Sequence, residues 1–211
     1  MGTIDSQTEH TSPAGRAQPP AASGPLADPG AWAVTAFATT SFMLGLYDTH
    51  LIGSGSLPIV FPVAFFYGGL IQIIVGILEI GRGNLFGAVV FGSYGPFWVI
   101  YGAISTWFAK MAPPSSVNAG IALFLAMFAV VTFYFFLASL RTDRVLVAIF
   151  ALIFIGLVLL AIGAQSGTLR WTKIGGWVTI AFAVLAWYHA AADIINSTFR
   201  RSVLPLGKIA G

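Results

Sequence analysis

Cysteine is missing from all 211 residues, and charge is nearly missing. The first absence excludes disulfides, thiolate metal sites and cysteine nucleophiles, and it leaves the redox compartment open. The second decides the class. Asp, Glu, Lys and Arg make up 8% of the chain, whereas a soluble domain carries roughly 25%, because its surface must be wetted. Hydrophobic residues make up 57%. Such a chain cannot cover a water-facing surface, so its outside must meet lipid. The net charge of +3 arises from 10 basic and 7 acidic residues with no basic cluster, so nucleic acid is not an expected partner. Zinc-ligand spacings, phosphate loops and nucleophile elbows are absent too. Neither an enzyme nor a metal or cofactor protein is expected.

What remains is apolar sequence in long runs. Residues 1–27 are small and polar with four prolines. They lack the apolar core of a signal peptide and read as a disordered cytoplasmic tail. Six runs follow, at 32–51, 58–80, 85–109, 117–140, 145–164 and 171–195. Each has about 20 residues or more, the length a helix needs to cross a hydrocarbon core of about 30 Å. Barrel strands alternate in polarity over about 10 residues, and these runs do not. The expected fold is all-α and integral to the membrane: a six-helix bundle over 28–198 with a short tail at 199–211. Short links make sequential helices antiparallel neighbours. Arg16, Arg82, Arg141, Arg144, Arg200, Arg201 and Lys208 fall on one side, and Lys110, Arg170 and Lys173 on the other. The positive-inside rule therefore puts both termini in the cytoplasm. Trp32, Trp107 and Trp171, near helix ends, read as interface anchors.

Polar residues inside apolar runs carry the functional signal, since lipid does not satisfy them. Gln72 lies mid-run in the second helix, with Glu79 seven residues on and Gly69 and Gly76 on the same face. Two readings stand for Gln72: a helix–helix seam opened by small residues, or a polar path. Glu79, near its helix end and three residues from Arg82, reads first as structural. In the third helix Ser93, Tyr94, Gly95 and Pro96 suggest a kink that presents polar groups. Gly83 and Gly87 read as a small-xxx-small contact. His189 and Asp193 share a face of the sixth helix, as a structural hydrogen bond or a proton relay. Thr39, Thr40 and Ser41 are hydroxyls that often bond back to their own helix.

Residues 67–98, YGGLIQIIVGILEIGRGNLFGAVVFGSYGPFW, resemble the acetate uptake transporter family, the succinate–acetate permeases of bacteria and their fungal relatives. That family carries a YGG…Q…G…E…GN.FG…F.SYG.FW run across its second and third helices. The terminal FRRSVLPLG at 199–207 is similar as well. Two segments depart from the pattern. An NPAPLGL signature reads DPGAWAV at 28–34, and a segment close to LNLHNAG reads LGLYDTH at 44–50. The resemblance implies a homohexamer in the plasma membrane, the inner membrane of a bacterium, each protomer with its own path for acetate, related monocarboxylates or succinate. It implies operation as a channel or with protons. It places a constriction at Phe37, Tyr94 and Ile153, with Thr40 and Gln72 beside the path as substrate-binding residues. Two other functions suit the same composition: a channel for a small neutral solute such as urea, ammonia or an amide, and a membrane sensor of metabolites.

Overall fold

The computed structural model describes residues 27–209. The tail expected at 1–27 lies outside the described residues except for Ala27. Six long helices run through the rest: α1 Gly30–Asp48, α2 Ser54–Gly81, α3 Leu85–Thr106, α4 Pro114–Ser139, α5 Arg144–Ser166 and α6 Leu169–Phe199. No strand longer than a single bridge occurs among them. α2 to α6 are each long and apolar enough to cross a membrane. α1 is long enough but more polar, with Thr35, Thr39, Thr40, Ser41 and Asp48 in its 19 residues. It can tolerate them because Thr40 and Ser41 are buried by its neighbours. Trp32, Trp107 and Trp171 are exposed at or next to helix ends, where the indole suits the interface.

Local chemistry sets the ends. Asn84 accepts a hydrogen bond from the Gly87 N–H and starts α3; Asp143 accepts one from the Leu146 N–H and starts α5. Pro114 opens α4 at a position where no N–H is needed. Gly83 adopts φ 75° in the α2–α3 turn, a region that favours glycine. Gly83 therefore lies outside α3, and the expected Gly83–Gly87 helix contact does not form. α6 runs four residues past the apolar run, through Asn196, Ser197 and Thr198. The Asn196 side chain accepts from the N–H groups of Val203 and Leu204 and donates to the Leu204 carbonyl. That satisfies the chain as it leaves the helix.

α1 packs most extensively on α6, a pairing the short links did not suggest. Around the bundle the order is α3, α2, α1, α6, α5, α4. Glycines permit the close approaches. A Cβ on Gly76 would sit 2.8 Å from the Gly92 nitrogen of α3, and one on Gly176 would sit 2.8 Å from the Asp48 Cβ of α1. α3 and α4, although sequential, meet through rings instead of backbone. Phe97 stacks on Phe124 at 5.1 Å and meets Phe128 edge-on at 4.9 Å. The chain then folds back after α6. Gly207 and Leu206 carbonyls accept from the N–H groups of Arg144 and Val145, and Tyr188 donates its hydroxyl proton to the Pro205 carbonyl at 2.7 Å.

Candidate functional site: two cavities divided by an aromatic wall

Two cavities lie inside the bundle. The distal one, of about 200 Å³, opens toward the Asp48 end of α1. The proximal one, of about 140 Å³, lies toward the end that holds Asp28 and Asp193. Phe37, Tyr94 and Ile153 line both. They come from α1, α3 and α5, and each is at most 8% exposed. The Phe37 ring lies 5.5 Å from that of Tyr94 and 5.7 Å from that of Phe182. The Tyr94 hydroxyl is 2.7 Å from that of Thr132 on α4. The ring is thus fixed at both edges, by apolar packing and by a hydrogen bond. α3 runs unbroken through Pro96 as it presents Tyr94.

The proximal cavity is lined with acceptors. Gln72 is fully buried; its amide nitrogen donates to the Gly68 carbonyl at 2.7 Å, and Oε1 has no hydrogen-bond partner among the described residues. One of its two N–H donors is therefore committed to its own helix. Gln72 follows a π-helical stretch, Val63–Ile71, and such wide turns cluster at functional sites. Gly69 packs on Val99 and Gly95, and Gly76 on Gly92 and Ala88. They form the α2–α3 seam, so α3 fills the room that the two glycines were expected to leave open. Glu79 is 1% exposed and makes no hydrogen bond among the described residues. It pairs with Arg82 at 3.5 Å, and Arg82 reaches Asp28 at 3.3 Å, which ties α2 to the start of α1.

His189 and Asp193 also line this cavity. His189 Nε2 is 3.1 Å from Asp143 Oδ2. Its Nδ1 is 3.2 Å from Asp193 Oδ2, within ion-pair range but outside hydrogen-bond geometry. Sequence reasoning missed Asp143, which lies 46 positions from its partner. Burial acts to raise the Asp143 pKa, but the bonds from His189 and the Leu146 N–H outweigh it and hold the carboxyl below its ordinary value.

The distal cavity offers donors. Ser41 Oγ and Trp98 Nε1 are buried without a hydrogen-bond partner among the described residues, and both residues line it. In the sequence Ser41 reads like the other hydroxyls of α1, because nothing local distinguishes it from Thr39, whose hydroxyl donates to the Thr35 carbonyl. Thr40 lines neither cavity. Its hydroxyl donates to the Ala36 carbonyl, and it packs against Gly68 behind the wall.

A family model described as the GPR1/FUN34/yaaH family matches residues 10–208. The succinate-acetate/proton symporter SatP of Escherichia coli strain K12 is 34% identical over 185 residues, which is 87% of this chain and 96% of that protein. The ammonia transport outward protein 2 of Saccharomyces cerevisiae is 32% identical over 80% of this chain and 62% of its own length. A solved structure of the bacterial acetate channel SatP aligns with a TM-score of 0.80 and 32% identity, over 86% of this chain and 99% of that one.

Proposed function

The chain belongs to the GPR1/FUN34/yaaH family, and from that premise we propose that it passes acetate and related small carboxylates, succinate among them, across the plasma membrane. The observation that carries this reading is the wall shared by the two cavities, Phe37, Tyr94 and Ile153. A path through the bundle has to cross that wall, and a small acid fits the volumes on either side. Crossing hydrocarbon as an anion is costly, and at neutral pH a carboxylic acid is almost wholly ionised. Ser41 and Trp98 offer N–H and O–H donors that replace part of the lost water. Among the described residues no Lys or Arg lines either cavity, so the anion is held weakly and released quickly.

On this reading Phe37, Tyr94 and Ile153 form the constriction and Gln72 contacts the solute on its proximal side. Thr40 supports the wall from behind. Glu79, His189 and Asp193 line the proximal cavity, where they hold that end of the bundle together or carry a coupled proton. The assembly is a homohexamer with both termini in the cytoplasm.

Uptake of labelled acetate into proteoliposomes, with and without a pH gradient, tests the reading. Uptake that saturates or is competed by succinate supports it; vesicles no more permeable than lipid alone overturn it. The yeast relative named for ammonia favours one second reading, a path for a small neutral solute. Methylammonium uptake in place of acetate uptake would select it.

A further inference from the structure

The C-terminal segment assembles a cluster of cations that transport does not use. After α6 it turns back and pairs with the α4–α5 turn. Arg144 and Val145 donate their N–H groups to the Gly207 and Leu206 carbonyls, and Ile209 donates to the Thr142 carbonyl at 3.0 Å. Lys208 lies opposite Asp143 in an antiparallel bridge. Lys208 is thereby carried beside Arg141 and Arg144, far from it in sequence. The Arg144 stem lies against Gly207, where an added Cβ would meet its Cδ at 3.2 Å. All three cations are exposed, and none makes an ion pair among the described residues. The acid between them is occupied: the Asp143 side chain is buried and turned onto His189 and the Leu146 N–H. The first N–H groups of α5 are occupied as well. What the turn offers to an outside partner is therefore three side-chain charges.

An apolar track leads to them. Met127, Val130, Tyr134 and Leu137 of α4 are 48–59% exposed. Their spacing of three and four residues puts them on one helical face, and the next position by that spacing is Arg141. From Val130 to Arg141 the track rises roughly 16 Å, about half of a hydrocarbon core of about 30 Å. One amphiphile matches both parts, with an acyl chain on the track and an anionic headgroup at its end. We propose that Arg141, Arg144 and Lys208 bind the phosphodiester of an anionic phospholipid whose acyl chain lies along α4. A free phosphate would use the charges and leave the track empty, so the two features together select a lipid. Long Lys and Arg stems lie along apolar surface while their charges reach the headgroups, and basic pockets at the ends of membrane helices are a recurring seat for such headgroups.

The test uses the full-length protein in mild detergent. Phosphatidylglycerol or phosphatidylcholine with the same acyl chains is added, and native mass spectrometry reads the lipid retained. Each basic group near a headgroup contributes roughly fivefold, so the wild type is expected to prefer phosphatidylglycerol about tenfold or more. Arg141→Gln, Arg144→Gln, Lys208→Gln together should abolish the preference. Arg200 and Arg201 lie at the end of α6, eleven and twelve residues and roughly 16 Å of rise beyond His189. Their joint change to Gln removes two charges outside the cluster and should leave the preference intact. Should the triple variant fail to fold, Arg141→Gln, Lys208→Gln spares the packed Arg144 stem and should cut the preference at least threefold. Equal retention of both lipids by the wild type, as when a second copy covers the track, overturns the proposal. An equal loss in the Arg200, Arg201 variant also overturns it, because general charge attraction would then suffice. Displacement of the lipid by millimolar inorganic phosphate would make this a phosphate site and overturn the lipid assignment.

Discussion

The hydroxyls of Tyr94 and Thr132 lie 2.7 Å apart at the centre of the bundle, and both side chains are sealed from the surroundings. They join α3 to α4, the neighbouring pair whose backbones come least close. Removing one hydroxyl strands the other in an apolar site, at a cost of about 1–3 kcal/mol. Tyr94→Phe is therefore expected to lower the thermal midpoint of the detergent-solubilised protein by several degrees. The double variant Tyr94→Phe, Thr132→Val leaves nothing stranded and should recover most of the loss. Equal melting of wild type and both variants would show that the bond contributes nothing.

Phe37 and Ile153 present only apolar bulk to the two cavities they divide. Phe37→Ala or Ile153→Ala should widen the wall and admit bulkier acids, so that lactate competes with labelled acetate severalfold better than in the wild type. An unchanged order of competing acids would place the size limit elsewhere.

Gln72→Leu keeps the bulk of the side chain and removes its polar atoms. Acetate flux should fall severalfold, with assembly and melting close to wild type. Normal flux would take Gln72 out of the path. Failed assembly would make it a packing residue of the seam, beside Gly69 and Gly76.

Asp143 gives a pH dependence whose sign can be worked out. Its carboxyl is held below the ordinary value in the folded protein. The stability it adds is therefore complete above the unfolded carboxyl pKa of about 3.9 and disappears as pH falls through the lower folded value. Asp143→Asn should melt below the wild type at neutral pH, and the gap should close as the medium is taken below about pH 4. A gap independent of pH would mean that the charge on Asp143 is not what matters.

The homohexamer with both termini inside has its own tests. Native mass spectrometry in mild detergent should give six copies, and tags at either end should resist protease added to intact cells. Monomer alone, or cleavage of a tag, would count against the corresponding half of the proposal.

Six spans were legible because hydropathy sums over some twenty residues and tolerates single polar positions. The resemblance led to Phe37, Tyr94 and Ile153, and the structure finds them on one wall, although periodicity alone would have left Phe37 among many apolar neighbours. Other features were hidden for physical reasons. The room that Gly69 and Gly76 leave on α2 is filled by Gly92, Gly95 and Val99 of α3, and the period of one helix cannot register what its neighbour places there. Ser41 and Trp98 matter because of what fails to reach them in three dimensions. Asp143 reads as one residue of a short polar turn until α6 brings His189 against it. The Thr132 hydroxyl looks like any other mid-helix threonine until Tyr94 arrives from the far side of the bundle.

The pairing of α1 with α6 has a consequence for how the protein is made. Synthesis releases α1 four helices ahead of α6, its principal partner. Until α6 emerges, Ser41, Asp48 and the glycine surface around Gly45 have no companion in the bilayer. α2 covers another side of α1 for good, so the face that awaits α6 depends on the insertion machinery through the synthesis of every helix between. A ribosome stalled before residue 169 therefore leaves behind an open arc of five helices, with its most polar one at an unprotected edge, and this is the form that quality-control proteases would meet.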